Sequence, residues 1–398
     1  MSKYEMNPAG TEALQARVDE VIDRTLSKQR LVGTVVKIAL DGKLGYSRAA
    51  GLADRESKVS MREDSLFRLA SVTKVVVSAA ALVLVSRGRL DLDTPIDKWL
   101  PYFKPLLPDG SPAIITLRQL MSHTAGLNYG FLEPEDGPYH RAGVSDGMDL
   151  SGLSLEENLR RLASVPLIFK PGTAWNYSLA TDVLGGIVAS AHGSTLSEAV
   201  RSLVTEPIGL TDTAFDVVDP QRLAASYADD TPAPRRMREP DIVGKMEGVA
   251  GTLLDPRRAF DPFAFPSGGA GMIGSADDIL HLLETLRTGG KPLLTPALIE
   301  EMGRSQTSGL TLPNSPGWGF GLGFSVLTDP AAAATPQSAG TWRWGGVYGH
   351  SWFVDPARKL TVLALTNTTL EGMSGQFTLD LRDAVYECLN HSRQVFEY

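Results

Sequence analysis

Regularly spaced apolar residues define the first elements of the chain. Over residues 11–26, apolar side chains recur every three or four positions with charges between them, which predicts an amphipathic helix. A run rich in valine and isoleucine follows at 31–40, and a second strand-like run covers 43–50. Asp41-Gly42 separates these runs, and an Asp-Gly pair between two strand-like segments is typical of a tight β-hairpin. The chain therefore opens with a helix and an antiparallel pair of strands.

The pattern changes in the middle of the chain. Helical patterns broken by glycine and proline dominate from about residue 71 to residue 210. Residues 216–251 are polar and weakly patterned, which is consistent with a long loop over a binding site or with a surface excursion. Strand-like runs return late, at 319–327, 341–344, 350–355 and 360–367, and a final helical pattern covers 378–389.

These elements predict a single α/β domain of the α+β type over residues 1–398. Because both ends of the chain supply a helix and strands, the simplest assembly is an antiparallel sheet built from the two ends and flanked by the terminal helices. The α/β part then covers approximately 1–70 and 290–398. A mostly helical part, approximately 71–289, is inserted between them.

Composition narrows the functional class. The 398 residues are 43% hydrophobic and 21% charged, with a formal net charge of -8 and no block of lysine and arginine, so we expect no nucleic-acid partner. No run of 18 apolar residues occurs, and the first residues lack the apolar core of a secretory signal, so we expect no membrane span and a cytoplasmic location. Cys388 is the single cysteine, and no cysteine–histidine cluster has zinc spacing. We therefore expect neither a metal nor a cofactor.

Ser71-Val72-Thr73-Lys74 opens an apolar helical run and contains a candidate nucleophile. A serine hydroxyl needs a base to react at neutral pH. Residues three apart lie on one face of a helix, so the amine of Lys74 can reach the hydroxyl of Ser71. Lysine can act as a base when burial or a nearby cation lowers its pKa, and the flanking residues are apolar. Alone, this short pattern more often marks a helix cap and a solvated lysine. Whether Ser71 is a nucleophile therefore depends on the other motifs of the chain.

A second serine competes for the role of nucleophile. Ser145 lies in Gly143-Val144-Ser145-Asp146-Gly147, which fits the G-x-S-x-G pattern of lipases. That motif works because a strand enters a sharp turn from which a helix departs. Here residues 133–141 contain two prolines and a glycine, and no helical pattern starts directly after the turn. We therefore interpret Ser145 as a loop residue without a catalytic role.

Further motifs follow one another along the chain. In order they are Ser71 to Lys74, the segments 88–95 and 99–101, His123-Thr124-Ala125-Gly126-Leu127, Pro171-Gly172 through Tyr177-Ser178, and Trp344-Gly345-Gly346-Val347-Tyr348-Gly349-His350. Together they resemble the serine β-lactamase and penicillin-binding-protein superfamily, and within it the family VIII carboxylesterases, which share the class C β-lactamase fold. The resemblance covers nearly the whole chain, and several matches in order are far more specific than any one of them. It implies a β-lactamase/transpeptidase-like fold.

The resemblance also implies a role for each matched residue. Ser71 would be the nucleophile, and Lys74 and Tyr177 would move its proton as a pair, so that the base is not assigned to one of them alone. The N–H groups of Ser71 and Val347 would form the oxyanion hole. Three residues of the late strand would border the substrate: Trp344, Gly345 and Gly346.

Two positions depart from the β-lactamase pattern. The third position of the tyrosine motif, asparagine in β-lactamases, is Leu179, and Trp344 stands where those enzymes carry a lysine. That lysine helps to bind the carboxylate of a β-lactam or a peptide, so both departures favour neutral esters. We therefore expect a carboxylesterase for small to medium, mostly neutral esters, acting through an acyl-enzyme on Ser71. An acyltransferase and a β-lactamase or D-amino-peptidase stay open as alternatives.

Two histidines and one glycine-rich run allow a catalytic or binding reading as well as a structural one. His123 and His350 invite comparison with catalytic triads, but in this arrangement of motifs we expect both to be structural or to line the pocket. Gly268-Gly269-Ala270-Gly271 lacks the GK[ST] ending of a phosphate-binding loop. We interpret it as a turn before a helix at 275–286.

Overall fold

The computed structural model describes residues 8–394. The prediction that the chain has no secretory signal rests partly on residues 1–7, which lie outside the described residues. Its strands, in chain order, are β1 (Gly33–Leu40), β2 (Lys43–Asp54), β3 (Val59–Ser60), β4 (Leu66–Arg68), β5 (Tyr227–Ala228), β6 (Arg235–Arg236), β7 (Asp241–Val243), β8 (Thr252–Leu254), β9 (Ile273–Ser275), β10 (Trp318–Phe320), β11 (Ser325–Leu327), β12 (Trp342–Gly346), β13 (His350–Asp355) and β14 (Leu360–Thr366). Its helices are α1 (Pro8–Ser27), α2 (Thr73–Ser86), α3 (Leu117–Met121), α4 (Pro138–Arg141), α5 (Leu155–Ala163), α6 (Ala180–His192), α7 (Leu196–Val200), α8 (Ala276–Arg287), α9 (Pro296–Gly303), α10 (Thr369–Ser374) and α11 (Gln376–Gln394).

An eight-stranded antiparallel sheet joins the two ends of the chain. The strand order is β10-β11-β12-β13-β14-β1-β2-β3, so the late strands meet the early ones where β14 pairs with β1. Val36 and Ile38 of β1 point to a core that α1 and α11 complete, whereas Val35 and Ala39 point to the main core on the opposite face. This assembly confirms the predicted fold class. Helix α8 lies close to the predicted boundary at 290 and packs on β1 and β14.

Two predicted segments differ in detail from the structure. The single strand-like run at 319–327 is in fact two paired strands, β10 and β11, because the chain reverses around Gly323, whose φ of +113° suits glycine alone. The weakly patterned stretch 216–251 is not purely a loop. It contains β5, β6 and β7, which form short two-stranded ribbons (β7 with β8) of two or three residues per strand, too short for a periodic pattern to show.

Helix α2 lies at the centre of the main core. All of its first twelve residues are buried, as expected of a helix that is apolar around its whole circumference. It packs against α6 and follows a 3₁₀ turn at Ala70–Val72, which in turn contacts β12. The start of α2, the segment before α6 and the end of β12 therefore meet at one place.

Two features are absent from residues 8–394. No helix there combines the length and the apolar character that crossing a bilayer requires. In the same part of the chain, no three side chains of histidine, cysteine, aspartate or glutamate are grouped so that they could hold a metal ion.

Candidate active site

Three side chains from the predicted motifs meet at the start of α2. The hydroxyl oxygen of Ser71 lies 2.6 Å from the hydroxyl oxygen of Tyr177. The Nζ atom of Lys74 donates a hydrogen bond to the same Ser71 oxygen at 3.0 Å. Ser71 and Lys74 share one face because they are three residues apart, and Tyr177 arrives from the irregular segment before α6. The structure thus brings together the predicted nucleophile and both members of the predicted base pair.

The amine of Lys74 is fully buried and has two further partners that the sequence motifs do not reveal. Nζ donates to the hydroxyl of Tyr129 at 2.9 Å and to the carbonyl of Gly269 at 2.8 Å. Together with Ser71, these acceptors use all three donors of an ammonium group. Tyr129 follows the 123–127 motif by two residues, which is the one sequence signal that could have identified it. Gly269 belongs to the glycine-rich run 268–271, which was expected to form a turn and does so in the structure.

A buried carboxylate lies on the other side of Gly269. Oδ1 of Asp182 accepts a hydrogen bond from the Ser267 hydroxyl at 2.7 Å, whereas Oδ2 has no partner within the described residues. Burial raises the pKa of Asp182, and the Ser267 bond and the charge of Lys74 oppose that rise. A Cβ atom at Gly269 would lie 2.6 Å from Asp182 Oδ2 and 3.4 Å from Lys74 Nζ. A side chain at position 269 would therefore displace the carboxylate of Asp182.

Tyr129 is a neutral phenol in this environment. Burial raises its pKa well above the usual range, and the neighbouring Tyr177 and Asp182 raise it further. Its ring stacks on Phe131 with centroids 4.5 Å apart and lies 4.9 Å from the ring of Tyr177. A neutral phenol can accept a hydrogen bond from an ammonium or donate one to a neutral amine, so Tyr129 can hold Lys74 in either protonation state.

The backbone N–H groups of the predicted oxyanion hole belong to Ser71 and Val347, near the place where β12 contacts the turn before α2. Strand β12 approaches the 3₁₀ turn at Ala70–Val72 so closely that a Cβ atom at Gly346 would lie 2.4 Å from the carbonyl oxygen of Leu69. Val347 follows directly, in the turn between β12 and β13. Within residues 8–394, the N–H groups of Ser71 and Val347 donate no hydrogen bond. Ala70 has a left-handed φ of +44°, a strained conformation of the kind that clusters at active sites.

Aromatic rings form a wall beside the ring of Tyr177. The ring of Trp344 lies 5.2 Å from that of Tyr177 and 5.1 Å from that of Phe320. Further rings extend this wall: His123 at 5.0 Å from Tyr177, and Trp175 at 5.6 Å from Phe320. Trp344 is half-buried, with Gly345 and Gly346 after it on β12. The wall is apolar at the position where the β-lactamase pattern has a cation.

The tyrosine motif predicts that Leu179 replaces a polar contact of the site, but the structure places this leucine elsewhere. Its side chain is fully buried in the main core. Leucine at this position therefore contributes packing, and the hydroxyl of Tyr129 supplies a polar contact to Lys74 from a different segment.

Ser145 lies in an irregular segment between α4 and α5, as its sequence context predicts. Its hydroxyl hydrogen-bonds the carboxylate of Asp149 and accepts from the N–H of Gly147 at 3.0 Å. Its own N–H donates to the side chain of Asn158 at 2.8 Å. These bonds hold the loop together, and within the described residues no basic side chain contacts the hydroxyl.

Both candidate histidines are buried and neutral. Burial lowers the pKa of His123 well below its usual range, and the charge of Lys74 lowers it further. Burial also lowers the pKa of His350 to about 4. Nδ1 of His123 lies 3.1 Å from the Ser178 hydroxyl, and Nε2 of His350 donates to the carbonyl of Arg68 at 2.8 Å. Neither imidazole hydrogen-bonds the hydroxyl of Ser71, whose partners are Lys74 and Tyr177.

The buried histidines should make the protein sensitive to mild acid. Unfolded His350 titrates near 6.5 and folded His350 near 4, so the unfolded state binds more protons between these values. We therefore expect the free energy of unfolding to be at its full value above pH 6.5 and to fall as the pH decreases, with about 3 kcal/mol lost through His350 by pH 4. Urea denaturation between pH 7 and pH 4 measures this slope. The variant His350→Asn should flatten it, and exposed His281→Asn should leave it unchanged; equal slopes in both variants would contradict the assignment.

Comparison with known proteins agrees with this geometry. The Beta-lactamase family model matches residues 18–387. Esterase EstB from Burkholderia gladioli is 53% identical over 376 residues, which cover 94% of this chain and 95% of EstB. The solved structure of EstCE1, described as a hydrolase with promiscuous acyltransferase activity, is 46% identical, with a TM-score of 0.90 over 94% of this chain and 99% of that chain. Unliganded simvastatin synthase LovD from Aspergillus terreus has the same fold at 21% identity, with a TM-score of 0.72 over 96% of this chain and 99% of that chain.

These matches span the sheet, the inserted helices and all the motifs that suggested the resemblance. The predicted family is therefore confirmed over nearly the whole chain, and not only at the short motif around the nucleophile. The chain belongs to the beta-lactamase family.

Proposed function

We propose that this protein is a serine esterase that hydrolyses carboxylic esters through an acyl-enzyme on Ser71. One observation carries the proposal: the Ser71 hydroxyl lies within hydrogen-bond distance of two groups that can take its proton, Lys74 Nζ at 3.0 Å and the Tyr177 hydroxyl at 2.6 Å. The similarity to Esterase EstB supports esters as the substrate class.

The reaction follows from the positions of these groups. Ser71 Oγ attacks the ester carbonyl carbon while its proton passes to the pair formed by Lys74 and Tyr177. The carbonyl oxygen becomes negatively charged, and the N–H groups of Ser71 and Val347 stabilise it; one such donor is typically worth about 3–4 kcal/mol. The pair then protonates the departing alkoxide, which leaves the acyl group on Ser71. Water, activated by Tyr177, releases the acid and restores the hydroxyl.

The walls of the site favour neutral substrates. A carboxylate placed beside Trp344 would lose its hydration without gaining a cation as partner, which is costly. The amine of Lys74 cannot take that role, since its three donors are already in use. Small to medium neutral esters therefore fit better than β-lactams or peptides with a free carboxylate.

The site also supports one catalytic domain over residues 1–398. Ser71, Lys74 and Tyr177 come from the inserted helical part, whereas Trp344 and Val347 come from the late strands of the sheet. Neither part contains a complete site, so we expect the two to act as a single unit.

Intact-mass spectrometry after brief exposure to p-nitrophenyl esters of graded chain length tests the proposal. We expect a mass increase equal to one acyl group, located on the peptide that contains Ser71, and its disappearance with time as water releases the acid. The variant Ser145→Ala should form the same adduct. Hydrolysis without any adduct in rapid-quench samples, or an adduct on another residue, would refute the acyl-enzyme on Ser71.

Acyl transfer to an alcohol is a second candidate function. It uses the same acyl-enzyme, and the similarity to EstCE1, whose description includes acyltransferase activity, supports it. The apolar wall around Tyr177 also suits an alcohol as acceptor in place of water. Adding a short alcohol to the same assay separates the two functions, because an acyltransferase would yield mostly the new ester and a hydrolase mostly the acid.

A further inference from the structure

The segment 143–147, which fits the lipase motif, has no part in the reaction proposed above, although its aspartate bonds a turn beside the site. Oδ1 of Asp146 accepts a hydrogen bond from the N–H of Gly130 at 2.8 Å, and Oδ2 accepts one from the N–H of Phe131 at 2.9 Å. These two residues begin the 3₁₀ turn Gly130–Leu132. One carboxylate therefore holds two successive N–H groups of this turn.

The turn leads from Asp146 to the amine of the proposed base pair. Tyr129 directly precedes the turn, and its hydroxyl accepts the hydrogen bond of Lys74 Nζ at 2.9 Å. Phe131, inside the turn, stacks on the ring of Tyr129, with centroids 4.5 Å apart and planes inclined by 21°. A shift of the turn would therefore disturb both the backbone and the ring contact that place the Tyr129 hydroxyl.

Hydrogen bonds on both sides of Asp146 hold its loop in place. The N–H of Ser145 donates to the side-chain oxygen of Asn158 at 2.8 Å, and the carbonyl of Ser145 accepts from the same amide group at 2.9 Å. The carbonyl of Gly147 accepts from Nε of Arg258 at 2.8 Å. The loop is thus tied to its neighbours directly before and after the aspartate, as a fixed support for the turn requires.

The surroundings of Asp146 disfavour its charged form. Burial raises the pKa of its carboxyl to about 7, the two N–H bonds oppose the rise, and the carboxylates of Asp149 and Asp182 contribute to it. Within the described residues, no lysine or arginine forms an ion pair with Asp146. A charge kept without a counter-ion does not stabilise a fold. This points to a role at the site for the two bonds that the carboxylate accepts.

We propose that Asp146 is a positioning residue for the ester reaction: it fixes the turn 130–132 and, through that turn, the Tyr129 hydroxyl that orients the amine of Lys74. The inference rests on the proposed reaction at Ser71. The loop that fits the lipase motif then serves the site through its aspartate and not through its serine. Because Asp146 acts on the amine and not on the aromatic wall, its loss should change kcat and leave KM unchanged.

Steady-state kinetics of Asp146→Asn with a p-nitrophenyl ester test the proposal, at about pH 8, where the carboxylate is ionised. Asparagine keeps the size and one acceptor oxygen, but its NH₂ group cannot accept the second N–H. We expect kcat to fall roughly three- to tenfold with KM unchanged. In a Tyr129→Phe background the same substitution should cost less than about twofold, because the hydroxyl through which Asp146 acts is already absent.

Gly130→Ala disturbs the same contact from the other side and leaves Asp146 itself intact. A Cβ atom at this position would lie 3.1 Å from Oδ2 of Asp146, closer than such atoms normally approach. We expect kcat to fall in this variant and, again, no further loss in the Tyr129→Phe background. The pair of variants keeps the test conclusive if Asp146→Asn does not fold.

Two residues of the same loop provide matched controls. Asp149→Asn changes the carboxylate that bonds the hydroxyl of Ser145, and Ser145→Ala removes that hydroxyl. Both should keep kcat within about twofold of the unmodified protein. An unchanged kcat in folded Asp146→Asn, or an equal loss in Asp149→Asn, would overturn the proposal. So would losses that multiply when Asp146→Asn or Gly130→Ala is combined with Tyr129→Phe.

The acyl adduct separates this proposal from the reaction on which it rests. If the unmodified protein forms no adduct on Ser71, the proposed function itself is refuted. If the adduct forms in Asp146→Asn and the losses still multiply, only the positioning role of Asp146 is refuted.

Discussion

Replacing Ser71 by alanine should lower kcat/KM for a p-nitrophenyl ester by about 10⁴-fold or more. The variant loses the atom that forms the acyl bond, while the oxyanion N–H groups and the aromatic wall remain. Binding should therefore change little, and the loss should fall on kcat. Steady-state kinetics give both parameters, and the mass assay should show no adduct at all.

Ser145→Ala is the matched control, because it removes the only other serine hydroxyl that fits a hydrolase motif. We expect its kcat/KM to stay within about twofold of the unmodified protein, and its stability to fall by roughly 1 kcal/mol because the bonds to Asp149 and Gly147 are lost. A large loss of activity in this variant, together with an active Ser71→Ala, would reverse the assignment of the nucleophile.

The parts of the site that depend on local spacing could be predicted from the sequence. Ser71 and Lys74 lie one helical turn apart, and their contact follows from helix geometry alone. The strand predicted at 350–355 is found as His350–Asp355, because buried strands show as short apolar runs between turn residues. Tyr177 required more than spacing, since only the ordered motifs indicated that its segment reaches Ser71.

The contacts around the amine could not be predicted, because they join segments far apart in the chain. Tyr129 is 55 residues from Lys74, and Gly269 is 195 residues away. No periodic pattern relates such positions, and both lie in irregular segments. Leu179 shows the opposite error: its place in a recognised motif suggested that it faces the site, whereas the backbone turns its side chain into the core.

In the resulting site, one phenol and one amine contact the hydroxyl of Ser71, and a second phenol contacts only the amine. The hydroxyl of Tyr177 hydrogen-bonds the oxygen of Ser71, whereas the hydroxyl of Tyr129 hydrogen-bonds the amine of Lys74. The first can therefore exchange a proton with the reacting oxygen. The second can only hold the amine in place, so we regard Tyr129 as a positioning residue. The same substitution, tyrosine to phenylalanine, can be made at each of these two positions, and its effects on kcat can then be compared.

Tyr177→Phe should lower kcat by about 10²–10⁴-fold, the range typical of losing a group that transfers a proton in the transition state. Both steps should slow, because the same hydroxyl lies next to the leaving alkoxide and to the attacking water. Pre-steady-state measurements with p-nitrophenyl esters resolve the two steps, since the burst reports acylation and the following phase reports deacylation.

Tyr129→Phe should lower kcat only roughly tenfold with KM unchanged, because it removes one hydrogen bond to the amine and leaves the proton route intact. Phenylalanine keeps the ring in both variants, so a difference between them reflects the hydroxyl and not packing. Equal losses in the two variants would mean that proton transfer does not pass through Tyr177. A larger loss in Tyr129→Phe would mean that the position of Lys74 limits the reaction, and that the amine rather than the phenol takes the proton of Ser71.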